Sequence, residues 1–130
     1  MVDKGVQLSK NRFADVLVLC PSGRLDQDTS SKFKARILQV ISQESSPPPL
    51  IVLDMGAIEY ISSIGLRAVM IAAKQCQVGN GCLSVANLTP VVSEIFEISR
   101  FNHIIDIFDD VRSAIASISA KGLESYDTTG

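Results

Sequence analysis

The stretch Asp54-Met55-Gly56-Ala57-Ile58-Glu59-Tyr60-Ile61-Ser62-Ser63-Ile64-Gly65-Leu66 decides how the rest of the chain is read. Ahead of it, residues 50–53 (Leu-Ile-Val-Leu) form a short apolar run behind three prolines. That composition suits a strand buried on both faces, which Asp54 ends. Behind it, Leu66, Val69, Met70, Ala73 and Gln77 fall at offsets of 3, 4, 7 and 11, one face of a helix that starts near Ser62 and ends near Val78. The residues between strand and helix read as a turn. It carries two hydroxyls, Ser62 and Ser63, where about four backbone N–H groups lack intrahelical partners and the macrodipole adds roughly half a positive charge. Such a place tolerates a phosphoryl group and displays a modification to a partner.

Working outward, residues 6–8 and 16–20 read as strands, separated by a polar stretch that turns a hairpin or continues an edge strand. Pro21, Ser22 and Gly23 break the pattern. Phe33, Ile37, Leu38, Val40 and Ile41 then recur at helical spacing, which predicts a helix over 28–43 with Asp28 as its cap. Residues 45–49 (Ser-Ser-Pro-Pro-Pro) cannot continue a helix and form a surface connection. Beyond a Gly79-Asn80-Gly81 turn comes a strand over 82–88. Thr89 and Pro90 then open a helix that carries Val92, Ile95, Phe96 and Ser99 on one face and ends near Arg100. A short strand over 104–108 leads to Asp109 or Asp110, capping a last helix lined by Val111, Ala114, Ile115 and Ile118; residues 121–130 read as a flexible tail. Strands alternating with helices define the α/β class. The expectation is one domain over residues 1–120, a mostly parallel four- to five-stranded sheet with about four helices packed against it.

At 130 residues, 46% of them hydrophobic, the chain is long enough for one core. Twelve basic and fourteen acidic residues give a net charge of -2, and the basic residues are scattered along the sequence, so no nucleic-acid partner is expected. Cys20, Cys76 and Cys82 are odd in number and lack CxxC spacing, which argues against a disulfide framework or a zinc site and suits a reducing compartment. Residues 1–5 carry one Lys and one Asp with no apolar stretch behind them, and no segment reaches the length of a membrane span. A soluble, cytoplasmic chain without metal or cofactor is the consistent expectation.

Over residues 16–118 the sequence resembles the STAS family of bacterial anti-sigma factor antagonists and of the cytoplasmic domain of sulfate transporters. The resemblance rests on Gly23-Arg24-Leu25-Asp26 after the second strand, on Asp54 closing the third, on Ser62-Ser63-Ile64-Gly65-Leu66 at the helix start, and on a return strand over 101–108 before an acidic cap. The family pattern at the helix start is Asp-Ser-Ser/Thr-Gly-Leu, whose first Ser is the phosphoacceptor. Ser63 stands at that position, with Gly65 and Leu66 kept, Ser62 in place of the Asp and Ile64 in place of the second hydroxyl. The resemblance implies a partner switch. An unmodified antagonist binds an anti-sigma factor that is itself a GHKL-type serine kinase and so frees a sigma factor; phosphorylation ends the complex, and a serine phosphatase resets it. Asp26, Asp54, Ser62, Ile64, Gly65 and Arg67 would then face the partner.

Each of these residues also has a plainer reading. Ser62 and Ser63 are what a helix cap requires, with Ser62 taken as the cap, Asp54 can satisfy donors in a turn, and Gly65 can permit close packing. A non-phosphorylated scaffold subunit of a signalling or transport assembly fits the two departures from the pattern. An enzyme with Ser63 or a cysteine as nucleophile would need a base, and His103, the one histidine, has no carboxylate or hydroxyl at catalytic spacing, nor is there a GxSxG elbow. A nucleotide at the Ser62-Ser63 helix start is a third option, although no glycine-rich loop of P-loop spacing accompanies it.

Overall fold

Val16–Leu25, ten residues with an almost unbroken apolar start, form the strand on which the sheet is built (β2). The structure is a computed structural model and describes residues 7–44 and 48–129. A tight turn, with Ala14 at φ 55°, folds β1 (Gln7–Phe13) back antiparallel onto β2. On its other edge β2 has two partners in succession. Its first half pairs in parallel with β3 (Leu50–Asp54), and its second half pairs in parallel with β4 (Ala57–Ile61). The order runs β1-β2-β3-β5-β6, with β5 at Cys82–Ala86 and β6 at Ile107–Phe108.

Because side chains alternate across a pleated strand, β2, β3 and β5 each serve both faces. Leu17, Leu19, Ile51, Leu53, Leu83 and Val85 meet α1 (Ser30–Ser42), α2 (Ser63–Val78) and α3 (Pro90–Ile98) through Phe33, Ile37, Val69, Ala72, Val92 and Phe96. Val16, Val18, Val52 and Ala86 face the other way, towards α4 (Val111–Ile118) and α5 (Ala120–Thr129). Full burial of side chains such as Phe33, Ile37 and Phe96 stabilises the fold by roughly 1.5–3 kcal/mol each.

The α/β class and the largely parallel sheet are as expected, with six strands and five helices among the described residues in place of the anticipated four to five and about four. The extra strand is β4, in the segment read as a turn. Glu59 sits in a bulge: Gly23 pairs with Ile58, but Arg24 pairs with Tyr60, so the apolar residues Ile58 and Ile61 are three apart and the period of two is lost. The extra helix is α5, where a flexible tail was expected. Its Tyr126 ring packs edge-on against Phe13, with centroids 5.1 Å apart, and Leu123 joins the same cluster. Ser119 fixes its start by donating its hydroxyl to Asp15 and accepting the Gly122 N–H at 2.8 Å.

Smaller differences have local causes. The helix α1 begins at Ser30 and not at Asp28, since the Asp26 carboxylate draws the N–H groups of Asp28 and Thr29 into a turn. The return strand shrinks to Ile107–Phe108 because Phe101–His103 form a 3-10 turn, entered through Arg100 at φ 60°, that buries Phe101 against Phe96. The polar stretch after Leu8 continues as the edge strand β1. Val6 at its expected start, Ser45, Ser46 and Pro47 of the proline connection, the amino-terminal residues 1–5 and Gly130 lie outside the described residues.

Candidate functional site

At the carboxyl end of the sheet, Leu25 pairs with Ile61, and the residue after β4, Ser62, donates its N–H to the Leu25 carbonyl at 2.8 Å. Ser62 is still extended (φ -89°, ψ 173°), which leaves its hydroxyl free to accept the Gly65 N–H at 3.2 Å while its carbonyl accepts the Leu66 N–H at 2.9 Å. This is an N-cap, of the kind that stabilises a helix by about 1 kcal/mol. Ser63 is the first helical residue. It is exposed, and its hydroxyl takes part in no hydrogen bond among the described residues.

Gly65 is demanded by close approach. A Cβ there would lie 2.8 Å from Ile61 Cγ1 and 3.0 Å from the Leu25 carbonyl oxygen, so any side chain would lift α2 off the strand ends. Asp26 follows Leu25 on β2 and is half-buried. Its Oδ1 accepts from the Thr29 N–H at 3.1 Å, the Asp28 N–H at 3.0 Å and the Thr29 hydroxyl at 3.1 Å. These donors, the Thr29 backbone first, hold the carboxyl below its ordinary value. Beside it the Arg24 guanidinium lies over the Tyr60 ring, 4.7 Å from the centroid.

Asp54 is not in this group. It ends β3, whereas β2 continues alongside β4 for five more residues, roughly 16 Å at about 3.3 Å per residue. Its Oδ1 accepts from the Gly56 N–H at 3.0 Å and from Asn87 Nδ2 at 3.1 Å, tying the β3–β4 and β5–α3 connections together. The structure thus brings Asp26, Ser62, Ser63 and Gly65 to one strand end and leaves Asp54 at the other end of β4.

Ile64 and Arg67 extend the site sideways. Ile64 is 45% exposed, and both residues line a groove of about 100 Å³ between α1 and α2, with Ser30, Ser31, Lys34, Ala68 and Ile71. The contribution of Lys34 and its neighbours on α1 was not legible in the sequence, because the packing of α1 beside α2 is a tertiary fact. A cavity of about 100 Å³ is well below the roughly 300–1,000 Å³ of small-molecule sites, so the nucleotide option gains nothing from it. Another hollow, about 330 Å³, lies near the far end of α1 and is lined by Lys10, Arg12, Val40 and Glu44, with an Arg12–Glu44 ion pair of 2.6 Å among them.

The nucleophile reading fares no better. His103 is exposed in the 3-10 turn, and no hydrogen bond joins it to Ser63 or to a cysteine among the described residues. Burial pushes the Cys76 thiol up to about 12; burial and then a nearby carboxylate raise the Cys20 thiol (Asp54) and the Cys82 thiol (Asp106). Such thiols stay protonated and unreactive near neutral pH. Among the described residues no group of three His, Cys, Asp or Glu side chains could hold a metal ion, and no helix is long and apolar enough to cross a membrane.

The chain is thus a three-layer α/β domain that displays a serine at a helix mouth. Residues 7–114 match the model of the STAS domain, and the chain belongs to that family. It is 31% identical over 112 residues to BtrV of Bordetella bronchiseptica, provisionally named an anti-sigma factor antagonist, covering 86% of this chain and 94% of that one. The fold is similar to the crystal structure of an anti-sigma factor antagonist from Mycobacterium paratuberculosis, with a TM-score of 0.77 at 19% identity over 88% of this chain and 94% of that one. It is also similar to the Bacillus cell fate determinant SpoIIAA in its phosphorylated form, with a TM-score of 0.62 at 18% identity over 87% of this chain and 98% of that one.

Proposed function

We propose that this chain is an anti-sigma factor antagonist that binds an anti-sigma factor of the GHKL-type serine kinase class in the cytoplasm, frees a sigma factor, and is switched off by phosphorylation of Ser63. The observation that carries this reading is the division of labour between the two serines: Ser62 takes the capping bonds, so the Ser63 hydroxyl is free and exposed. The kinase transfers the γ-phosphoryl group of ATP to Ser63 Oγ; the new O–P bond replaces the one to ADP, and the hydroxyl proton leaves to solvent. The product carries about -1.5 to -2 charges at pH 7. On the first turn of α2 that charge meets the positive end of the helix, so the fold itself tolerates it. A partner surface shaped around a neutral hydroxyl must instead desolvate the charge, and a penalty of about 3 kcal/mol lowers affinity roughly a hundredfold. A serine phosphatase would restore the hydroxyl.

The test is co-purification from the native host, identification of the retained protein, then incubation with it and ATP. One phosphate by intact mass, absent in Ser63→Ala, and a complex lost in Ser63→Glu are the expected results. Full affinity of Ser63→Glu together with no phosphate uptake would remove the switch. That outcome would favour the second reading, a scaffold subunit, which the apolar Ile64 beside Ser63 supports because it sits where the family pattern has a hydroxyl.

A further inference from the structure

The helices α1 and α2 together hold Lys32, Lys34, Arg36, Arg67 and Lys74 and not one of the chain's fourteen acidic residues, in a molecule whose net charge is -2. In sequence these cations are spread over more than forty positions; the fold gathers them onto two neighbouring helices, since α1 and α2 pack side by side on the same sheet face. The two ion pairs found among the described residues are made by Arg12 and Arg112, so all five cations of this helix pair lack a carboxylate partner. Five unpaired like charges on two adjacent helices disfavour the folded state. The groove between the helices is different in kind: Ile64, Ala68 and Ile71 give it an apolar lining, and Lys34 and Arg67 line it beside Ser30 and Ser31. Ile64, Arg67, Ile71 and Lys74 recur at one-turn spacing along α2, which continues the cationic edge beyond the groove.

We propose that this groove docks an acidic amphipathic segment of a protein partner, with one apolar side chain seated on Ile64, Ala68 and Ile71 and carboxylates paired with Lys34 and Arg67. The volume of about 100 Å³ suits one leucine-sized side chain. The charge complementarity selects an acidic segment, and the apolar lining without any aromatic ring selects protein over single-stranded nucleic acid, whose bases need stacking surfaces. The inference deepens the proposed function and rests on it for the identity of the partner as the kinase bound at Ser63. Arg67 lies one helical turn beyond Ser63 on the same face. A phosphate on Ser63 therefore competes with the partner's carboxylates for Arg67, and phosphorylation weakens docking from within the antagonist as well as by repulsion across the interface.

The full chain, labelled with nitrogen-15, is titrated with a synthetic helical peptide of about 14 residues, four turns, carrying leucines one turn apart and flanked by glutamates. The expected result is amide shifts centred on Ile64, Ala68 and Ile71, affinity that falls with added salt, and affinity about tenfold lower in Lys34→Ala/Arg67→Ala. Both side chains lack ion pairs and stand among like charges, so a melting temperature no lower than the parent's serves as the folding control of the variant. Absence of binding, shifts elsewhere, equal binding of a peptide with lysines in place of the glutamates, an unaffected double variant, or a mixed-sequence single-stranded DNA that displaces the peptide from the groove each overturns the proposal. None of these readouts uses a kinase, so their failure is distinct from failure of Ser63 to take up phosphate.

Discussion

At the scale of single residues, the backbone turns helical between Ser62 and Ser63, and that one step gives two identical side chains different work. The extended residue can reach back to the Gly65 N–H; the helical one points its hydroxyl to solvent. The motif was legible in the sequence, and so was the assignment of the cap to Ser62. The role of Asp26 was legible only in part. Its place after β2 marked it as a candidate for the partner surface, but the carboxylate also binds the first turn of the β2–α1 connection. Because hydrogen bonding lowers its folded pKa, its contribution to stability is full above the ordinary Asp value of 3.8 and drains away as pH falls through the lower folded value. Asp26→Asn keeps an acceptor and removes the charge. Urea unfolding is expected to show the variant less stable than the parent at pH 7, with the difference closing as pH falls below the ordinary Asp value; a gap independent of pH would show that the charge has no part in it. The family resemblance placed Asp54 with Asp26 on the partner face, and the unequal lengths of β2 and β3 separate them.

At the scale of elements, strands with unbroken apolar runs and helices with clear caps were readable: Thr89 accepts the Val92 N–H and Asp110 the Ser113 N–H as the capping pattern demands. What escaped was whatever broke the period. The bulge hid β4, and α5 shows a weak amphipathic pattern whose few apolar residues, Leu123 and Tyr126, gain meaning only from Phe13 and Val16 over a hundred positions away. Gly122 belongs to the same contact, since a Cβ there would lie 2.7 Å from Val16 Cγ2. The helix α5 lies beyond the residues that match the family model, so its contribution is separable. Ending the chain at Ser119 is expected to lower stability by about 2 kcal/mol or more through loss of the aromatic pair and exposure of the Val16 cluster. Chemical denaturation measures this, and an unchanged midpoint would mean that α5 only rests on the domain.

At the scale of the whole molecule, charge is sorted by helix, with α1 and α2 carrying cations alone, a property no linear reading of scattered Lys and Arg could reveal. The arrangement runs against the stability of α1, whose first turn holds Lys32 where an acidic residue would suit the helix dipole. Lys32→Glu places a carboxylate three residues after Thr29, the N-cap, and four before Arg36. A gain of about 0.5–1 kcal/mol in urea unfolding at low salt is expected, and no gain would mean that the like charges of this helix pair are already screened. Glu59 has a wider reach than its exposed side chain suggests. As the odd residue in β4, it sets the parity with which the path from Asp54 arrives at α2. Were Glu59 paired with Arg24 in an unbroken ladder, Tyr60 would fall opposite Leu25 and Ile61 would swing to the outer face. The phase in which the chain enters its longest helix, and hence which hydroxyl meets a visitor, is fixed three residues upstream by one position that the neighbouring strand leaves unmatched.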